Sequence, residues 1–568
     1  MTMISHLSRR LALLGAGLAL TLPLAAGAQT AKSGVDVGKS TDAVSDDAAP
    51  VAPAHRIHKV RLTPYIEADQ VVQAQLSPTH DVLTYTTLAA GVEAAVQGRN
   101  TAASLSLRYE RRIGWSSKIA NGDAISGVAR IGINNPTKTL RFDAGALAER
   151  TRVEGNGAAL ANPIGNQDGV TQIYALYAGP SLSTRVGNFT VLGGYHVGYT
   201  KVNQVKALAL APGAPAIDVF DHSVMQSAQL HAGSRPGDGL PVGIGLGVGY
   251  DREDISNLDQ RVSDFHARAD VTVPITMDLA LVGGVGYEKV QISGCDAVRD
   301  PAGVPQIGSD GHYLTDKTVP RKLAYDVSGL IWDAGVMWRP SRRTAFEAHY
   351  GRRYGTGSFY GSFAYAPNSR SSLNVSVYDT ISGFGGQVSR ALGDLPTQFE
   401  AVRNPLTGNL GGCVASLDKG SCLGGVLGSV RSATFRDRGI MASYGVNLGR
   451  IQAGIGAGYD RRKFIAVPGT VLAVANGVVD QSTWLSGYLN GRIDQRSTFS
   501  TNIYAQWFQS GFALAGDATA VGASAAYYRL LTDHLTARAA VGLDGIDRKN
   551  TQPDLWSASA LVGLRYAF

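Results

Sequence analysis

The chain has little charge and few cysteines for its length. Only 17% of its 568 residues are Asp, Glu, Lys or Arg, the formal net charge is +7, and there are three cysteines. A charge this mild, without a basic tract, argues against a nucleic-acid partner. Beyond residue 28 no run of about 18 apolar residues occurs, so no membrane-spanning helix is expected. The chain is rich instead in glycine, with 69 residues, and in tyrosine, with 23.

The first 28 residues have the features of a secretory signal peptide. Two arginines precede the apolar stretch LALLGAGLALTLPLAA, and the small residues AGA at 26–28 form a cleavage site. An uncleaved membrane anchor is the alternative, which the helix-breaking Pro23 disfavours. Residues 29–59 show no apolar period and are predicted to be a flexible periplasmic segment. Residues 60–568 are therefore predicted to form the folded domain.

From about residue 60 onward, apolar side chains recur at every second position. In 451–459 the alternate residues are Ile, Ala, Ile, Ala and Tyr, whereas Gln and Gly lie between them. The same alternation occurs at 242–250 and at 265–273. Because successive side chains of a strand point to opposite faces, the pattern predicts strands with one apolar and one polar or small face. We expect about 22 strands, within a range of roughly 20–24.

The connections between these strands are of two kinds. Tight turn sequences, such as NNPTK at 134–138 and LTDH at 531–534, alternate with longer segments, such as 252–263 and 382–431. Strands of about 9–14 residues are close to what a tilted strand needs to cross a bilayer. In lipid every backbone polar group must be paired. We therefore predict an all-β fold, a closed antiparallel transmembrane β-barrel with short periplasmic turns and long extracellular loops.

The chain ends on an alternating strand, LWSASALVGLRYAF. A strand at the extreme C-terminus can pair with the first strand and close the ring. Tyr566 and the terminal Phe568 share its apolar face. This ending resembles the assembly signal of outer-membrane barrels, so the barrel-assembly machinery is an expected partner.

Two stretches of the chain resemble a known group of proteins. They are VEAAVQGRNTAASLSLRYERR at 92–112 and WRPSRRTAFEAHYGRRYGTGSFYGSFAYAPNSRSSLNVSVYD at 338–379. Both resemble large outer-membrane β-barrels of the porin type associated with exopolysaccharide and PEP-CTERM sorting systems. The resemblance spans about residues 60–568 and implies a bacterial outer-membrane location, with outer-membrane lipid, lipopolysaccharide and polysaccharide-export components as partners. It carries no catalytic residue, and we expect no enzyme activity.

Glycine-rich strings raise the question of a phosphate-binding loop. GIGAGYDRR at 454–462 and GLGVGYDR at 245–252 are two of them. A dinucleotide-binding loop must lie between a strand and a helix, whereas these strings continue a strand, so no cofactor is expected. The tyrosine that ends each string suits the lipid–water boundary. The predicted aromatic girdle consists of Tyr109, Tyr250, Tyr287 and Tyr459.

Charged residues fall on the face opposite the apolar one. An arginine at the middle of the acyl core costs about 2–4 kcal/mol, so these residues should line the lumen. There they would also select solutes by charge. The predicted lumen wall consists of Arg108, Arg141, Asp143, Arg268, Asp270, Asp333, Arg339, Glu347, His349, Arg353, Arg538 and Arg565.

Two cysteines lie in the glycine-rich part of the segment 382–431. An exported chain meets an oxidising compartment, so a disulfide between Cys413 and Cys422 is predicted, with Cys295 left over. No CxxC motif or nearby histidine pair indicates a metal site. A barrel of about 22 strands has a wide lumen. We therefore expect the segment 382–431, together with 291–322, to fold into or over the pore.

Three classes of function remain open for such a barrel. A conduit for polar solutes, or one for exopolysaccharide export or its accessory steps, is favoured. The alternative is a non-conducting surface barrel with a structural or binding role. A barrel hydrolase with a rim Ser or His is a minor alternative, because no G-x-S-x-G motif stands out. A siderophore-type gated transporter is disfavoured, since only residues 29–59 are available for a plug before the strands.

Overall fold

The structure of the chain is a computed structural model. It describes residues 59–119, 121–153, 159–160, 170–203, 220–415, 421–422, 430, 433–512, 516–549 and 553–568. The predicted signal peptide and almost all of the predicted N-terminal segment lie outside these residues. None of the described helices is long and apolar enough to cross a membrane.

Twenty-two antiparallel strands form one closed ring. A further two-residue strand pairs only with β5, and three short strands form a separate small sheet. The strands are β1 (Lys59–Ser77), β2 (Val82–Gln97), β3 (Thr101–Gly114), β4 (Gly122–Asn134), β5 (Leu140–Val153), β6 (Ala159–Leu160), β7 (Val170–Val186), β8 (Phe189–Asn203), β9 (His222–Ser234), β10 (Gly243–Ile255), β11 (Gln260–Pro274), β12 (Leu279–Gly294), β13 (Lys322–Ser341), β14 (Thr344–Arg353), β15 (Thr356–Asn368), β16 (Ser371–Ser382), β17 (Glu400–Arg403), β18 (Leu410–Ala415), β19 (Ser421–Cys422), β20 (Thr434–Asn447), β21 (Ile451–Ile465), β22 (Val479–Arg492), β23 (Ser497–Gln509), β24 (Ala518–Leu530), β25 (Leu535–Arg548) and β26 (Leu555–Ala567).

The ring closes between its first and last strands. β1 pairs with β26 from Tyr65 opposite Ala567 to Ser77 opposite Trp556. The backbone N–H of Phe568 also donates to the Pro64 carbonyl at 3.0 Å. The ring therefore has no free edge strand, because each strand has a partner on both sides. The predicted all-β barrel of about 22 strands is confirmed.

The ring has an apolar outer face and a polar inner face. On β10, Leu246 is 65% exposed, and on β26 Val562 is 62% exposed. Both point outward, as do the large apolar side chains at alternate positions of the other strands. The inward positions between them carry glycine, serine or charged residues, such as Arg108 and Asp270, which are buried. The alternation in the sequence thus separates the two faces of the wall.

The two ends of the ring differ in their connections. At the turn end, where β1 begins and β26 ends, neighbouring strands are joined by two to eight residues. At the loop end most connections are longer, but β1–β2, β10–β11 and β14–β15 are joined by only four, four and two residues. The prediction of a long loop over 252–263 is wrong, since only 256–259 separate β10 from β11.

The strands are also longer than predicted. The strands of the ring contain 10 to 20 residues. Many of them therefore extend beyond the 9–11 residues that a tilted strand needs to cross a bilayer.

The connection between β16 and β20 turns into the barrel. Its helix α1 (Phe384–Asp394) packs against β7, β8 and β9. Phe384, Val388 and Leu392 are fully buried there against wall residues such as Ile173. The Phe384 ring meets the Phe220 ring edge-on, with centroids 5.3 Å apart. This cluster is the largest apolar core of the described residues, and it lies inside the barrel rather than in its wall.

Two further connections meet at the loop end. The β12–β13 connection contributes Ala297 and Tyr313, which pack with Leu258 against Val471 of the β21–β22 connection. The Asp296 carboxylate accepts a hydrogen bond of 3.0 Å from the Val471 backbone N–H. Part of the predicted 291–322 segment therefore contacts the β21–β22 connection at the loop end.

Candidate functional site

The predicted lumen residues form separate ion-paired clusters on the inner wall. In the first cluster, Arg108 on β3 and Arg538 on β25 bind two acids of β1. The Arg108 Nε lies 3.1 Å from Glu67 Oε2, and the Arg538 Nε lies 2.7 Å from Asp69 Oδ1. Arg565 Nη1 lies 3.5 Å from the other oxygen of Glu67. Three predicted arginines thus share two carboxylates beside the strand junction that closes the ring.

The second cluster contains five of the predicted residues. Arg268 on β11 donates two hydrogen bonds to Asp333 on β13, of 2.7 and 2.9 Å, and also contacts Asp270. His349 on β14 lies 3.0 Å from Asp333 and 3.0 Å from Glu347. Asp333 is therefore the carboxylate that links two basic groups from two other strands.

Two residues outside the predicted set complete the second cluster. The Tyr360 ring of β15 stacks on the His349 ring with centroids 4.6 Å apart. His231 on β9 lies 3.2 Å from Asp270 and keeps 22% of its side chain exposed. Water inside the barrel can therefore reach this wall.

The first and second clusters lie on opposite walls. Between β1 and β13 the ring has ten strands on one side, β2–β5 and β7–β12, and ten on the other, β14–β16 and β20–β26. β13 is therefore diametrically opposite β1. A solute in the lumen would pass between two walls that both carry paired charges of each sign.

The remaining predicted lumen residues are placed individually. Arg141 donates a 2.9 Å hydrogen bond to its neighbour Asp143, and both are buried. Arg353 on β14 lies 2.9 Å from Asp264 of β11. Arg339, half-buried, shares the inward face of β13 with Asp333.

The segment 383–410, which we call the lumen segment, is anchored to the wall at both ends of α1. Glu253 on β10 accepts hydrogen bonds of 2.7 and 2.8 Å from the backbone N–H groups of Gly383 and Gly386. At the other end Arg130 on β4 donates a 3.0 Å hydrogen bond to the Leu392 carbonyl. An acid at the N-terminus and a base at the C-terminus satisfy free backbone groups and complement the helix dipole.

Arg403, in β17, holds the middle of the lumen segment. Its guanidinium donates to Ser106 at 2.7 Å, to Ser126 at 2.8 Å and to the Gly408 carbonyl at 2.7 Å. Burial lowers the pKa of Arg403, while the nearby Tyr65 and Glu93 act in the opposite direction. The two serines belong to β3 and β4, so Arg403 fixes the segment to the wall beside the first cluster.

A turn after Arg403 carries the segment to another part of the wall. Leu406 packs in a buried cluster with Val71 of β1 and Leu561 of β26. Gly408 has φ +66° and lies so close to the Arg108 side chain that a Cβ would collide with it. The lumen segment therefore extends from the β7–β10 wall to the β1–β26 junction and occupies part of the lumen.

Several residues of this arrangement were missed by sequence reasoning. They are Glu67, Asp69, Glu253 and Arg403. Glu67 and Asp69 alternate with apolar residues in β1, which is a detectable signal. Glu253 lies in the mostly polar stretch 252–263, where no clear alternation of apolar residues distinguishes a strand from a loop.

The four predicted girdle tyrosines lie on the outward face near the loop end and are between 37% and 48% exposed. Tyr109 and Tyr459 donate hydrogen bonds to Asp123 and Gln481 of adjacent strands, of 2.8 and 2.7 Å. A second set of outward aromatic residues lies near the turn end. It includes Phe142, Phe189, Trp338, Tyr365, Tyr444, Tyr527, Tyr566 and Phe568.

The cysteines of the β16–β20 connection are brought together by the backbone. Cys413 of β18 lies directly opposite Cys422 of β19. Opposed residues of an antiparallel pair are about 4.5–5.5 Å apart at Cα, within the range that a disulfide spans. The disulfide stays a prediction. Cys295 is a buried free thiol, and the described residues contain no group of three potential metal ligands.

No protein family and no curated protein matches this chain. Among solved structures, the FrpB iron transporter from Neisseria meningitidis (F5-1 variant) is 12% identical, with 89% of this chain and 82% of that chain covered and a TM-score of 0.40. The siderophore receptor PiuA from Acinetobacter baumannii is 10% identical, with 89% and 81% covered and a TM-score of 0.41. At these values the likeness assigns no solute or partner to this chain.

Proposed function

We propose that this chain is a pore-forming outer-membrane β-barrel that conducts polar solutes past the lumen segment. The observation that carries the proposal is the inversion of its faces. Large apolar side chains are exposed all around the ring, and the ion pairs of the first and second clusters lie inside it. An exposed apolar surface of this extent is unfavourable in water and fits an acyl environment.

The height of the apolar band supports the same proposal. On β8 the outward aromatic residues Phe189 and Tyr199 are ten positions apart (199 − 189). At about 3.3 Å per residue this is roughly 33 Å along the strand. A strand tilt of about 40° reduces it to roughly 25 Å, which is the height of the apolar band in outer-membrane barrels. The tyrosines of the predicted girdle then mark the outer lipid–water boundary.

For the solute we propose a hydrated, polar molecule, with exported exopolysaccharide as the polymer class. The inner wall supports this choice because its charges are paired within the wall, as in the Arg268–Asp333 and Arg538–Asp69 bonds. A wall of paired charges and small residues offers hydrogen bonds without a strong net field of either sign. Polysaccharide-export components would then be partners at the periplasmic end.

The proposal is tested by single-channel recording in planar bilayers. The full chain is compared with a variant in which a short Gly-Ser linker replaces residues 396–409 of the lumen segment. We expect the wild type to conduct and the variant to conduct more, because the segment occupies part of the lumen. A matched control replaces residues 299–311 of the β12–β13 connection and should leave conductance closer to that of the wild type.

A non-conducting surface barrel is the second candidate. The many bonds that hold the lumen segment, from Glu253 to Arg403, favour it, because they would keep the segment in place. Absence of conductance in both the wild type and the 396–409 variant would overturn the conduit and support this second function.

A further inference from the structure

The ladder of the barrel wall is interrupted near the loop end, between β13 and β16. β13 pairs with β14 only from Trp332 to Ser341, although it begins at Lys322. β15 and β16 pair only from Gly361–Val377 to Asn368–Ser371, so residues 378–382 of β16 pair with β20 alone. Residues 356–360 of β15 lie level with 378–382 of β16 without pairing to them, and 322–331 of β13 extend above the end of β14, so the ladder has a gap on both sides of the top of the β14–β15 hairpin. We call this gap the notch.

The notch begins at the level of the outward aromatic residues. The β15–β16 ladder ends at Gly361, which lies opposite Val377. The same row of directly opposed residues continues through Ile440 of β20 to Tyr459 of the predicted girdle on β21. On the other side, the β13–β14 ladder ends at the outward-facing Trp332. The notch therefore opens at the height where, on the proposed outer-membrane location, acyl chains give way to lipid headgroups.

Four cations follow on the outward face of β20 and β21, the two strands that come after β16 on one side of the notch. Arg461 and Lys463 lie two and four residues beyond Tyr459, on the same face of β21. Arg438 lies directly opposite Arg461, and Arg436 directly opposite Lys463. Like charges in directly opposed positions destabilise an antiparallel pair. We call these four residues the notch cations.

One carboxylate compensates only two of them. Asp379 of β16 lies 2.6 Å from Arg436 and 3.1 Å from Arg438. Arg438 also donates a 2.7 Å hydrogen bond to the Gly357 carbonyl on the opposite side of the notch. Arg461 is half-buried and Lys463 is exposed. Among the described residues no acid lies within ion-pair distance of either side chain. The net charge of the group is +3, four cations less one carboxylate.

We infer that the notch cations bind the phosphate group of an outer-leaflet glycolipid, with Arg461 and Lys463 as its exposed contacts. The inference rests on the outer-membrane location proposed above. A phosphomonoester carries close to two negative charges and accepts several charge-assisted hydrogen bonds, so it offsets the opposed cations that Asp379 leaves uncompensated. The height above Tyr459 places that phosphate at the headgroup level while its acyl chains contact the outward apolar face.

The test measures lipid binding to the purified full chain by native mass spectrometry. The probes are a phosphorylated lipid A, its dephosphorylated form, and inorganic phosphate alone. We expect the phosphorylated lipid to bind and the other two to bind at least ten-fold more weakly. The variant R461Q/K463Q should bind the phosphorylated lipid about 30-fold more weakly, at roughly five-fold per cation near a charged membrane surface.

The matched control is K201Q/K289Q. Each of these lysines is exposed and lies two residues beyond an outward tyrosine, Tyr199 or Tyr287, as Arg461 does beyond Tyr459. Neither faces a cation across the ladder, since Lys289 lies opposite Phe265 and Ser328 and Lys201 opposite Tyr174 and His222. Lipid affinity should therefore stay within about two-fold of the wild type, because this pair lacks the opposed arrangement.

Four outcomes overturn the inference. They are unchanged lipid binding by R461Q/K463Q, equal binding of the dephosphorylated lipid, binding of inorganic phosphate as tight as that of the lipid, and an equal loss of affinity in the control variant. Single-channel conductance is recorded for the same proteins. If R461Q/K463Q alters conductance but not lipid binding, the notch belongs to the solute path. Lipid binding without any conductance would leave this inference standing and overturn the proposed conduit instead.

Discussion

Glu253 of the barrel wall accepts a 2.7 Å hydrogen bond from the backbone N–H of Gly383, the residue that precedes the helix inside the lumen. A second bond to Gly386 occupies the other carboxylate oxygen. The side chain of one strand thus caps a helix that belongs to a connection more than a hundred residues later in the chain. The wall and the lumen segment are therefore a single folded unit.

Glu253→Gln should loosen α1 without unfolding the barrel. The amide can accept one of the two hydrogen bonds but lacks the charge that favours a helix N-terminus, a loss of about 0.5–2 kcal/mol. Hydrogen exchange of the amides at 384–394 should accelerate. Glu347→Gln on β14, four strands away from β10, is the control, and equal acceleration in both variants would argue against the cap.

Gly408→Ala should destabilise the lumen segment. Its φ of +66° is costly for alanine by about 1–2 kcal/mol, and the new Cβ would collide with the Arg108 guanidinium. Gly393→Ala is the matched control, since its Cβ would meet no atom within 4 Å. Protease cleavage within 396–409 should increase for G408A only; resistance equal to that of G393A would contradict the close approach.

Asp333→Asn should shift the ion selectivity of the pore toward anions. The change removes one negative charge from the wall and leaves Arg268 and His349 without their shared carboxylate. The reversal potential in a salt gradient measures the shift. Asp123→Asn removes a carboxylate from an exposed pair with Arg111 on the outer face and should leave selectivity unchanged. A selectivity shift of the same size in both variants would refute the assignment of Asp333 to the solute path.

Tyr459→Ala should lower the thermal stability of the barrel in micelles and leave ion selectivity as it is. The ring lies on the outward face, so its loss removes apolar contact with detergent or lipid and a 2.7 Å hydrogen bond to Gln481. We expect a loss of about 1–2 kcal/mol. Tyr459→Phe keeps the ring and should lose less. Altered selectivity with unchanged stability would place the ring in the lumen.

The predicted Cys413–Cys422 disulfide is checked by counting thiols. Protein unfolded without a reductant should react with an alkylating reagent at one cysteine, Cys295, and after reduction at three. The mass difference measured by intact-protein mass spectrometry distinguishes the two cases. Alkylation of all three cysteines before reduction would exclude the disulfide.

The alternation of residue types along the chain is enough to predict the class of fold and the two faces of its wall. Leu246 and Val248 point outward and Gly247 inward because a strand alternates its side chains with a period of two, which is a local property of the backbone. The number of strands follows from counting these alternating stretches. Their membrane role follows less directly, since it depends on the exposure of the whole ring.

Which charges meet, and which segment occupies the lumen, depends on the three-dimensional arrangement of the strands. Arg108 and Glu67 come from β3 and β1, and Arg268 and Asp333 are 65 residues apart (333 − 268). Their pairing depends on cross-strand register and on inward direction together, and neither is local. The lumen segment has no period of its own that would reveal its path, because its position is set by wall residues such as Glu253. The notch, likewise, arises where β14 ends before β13 and where β15 and β16 stop pairing, and single-strand patterns encode neither.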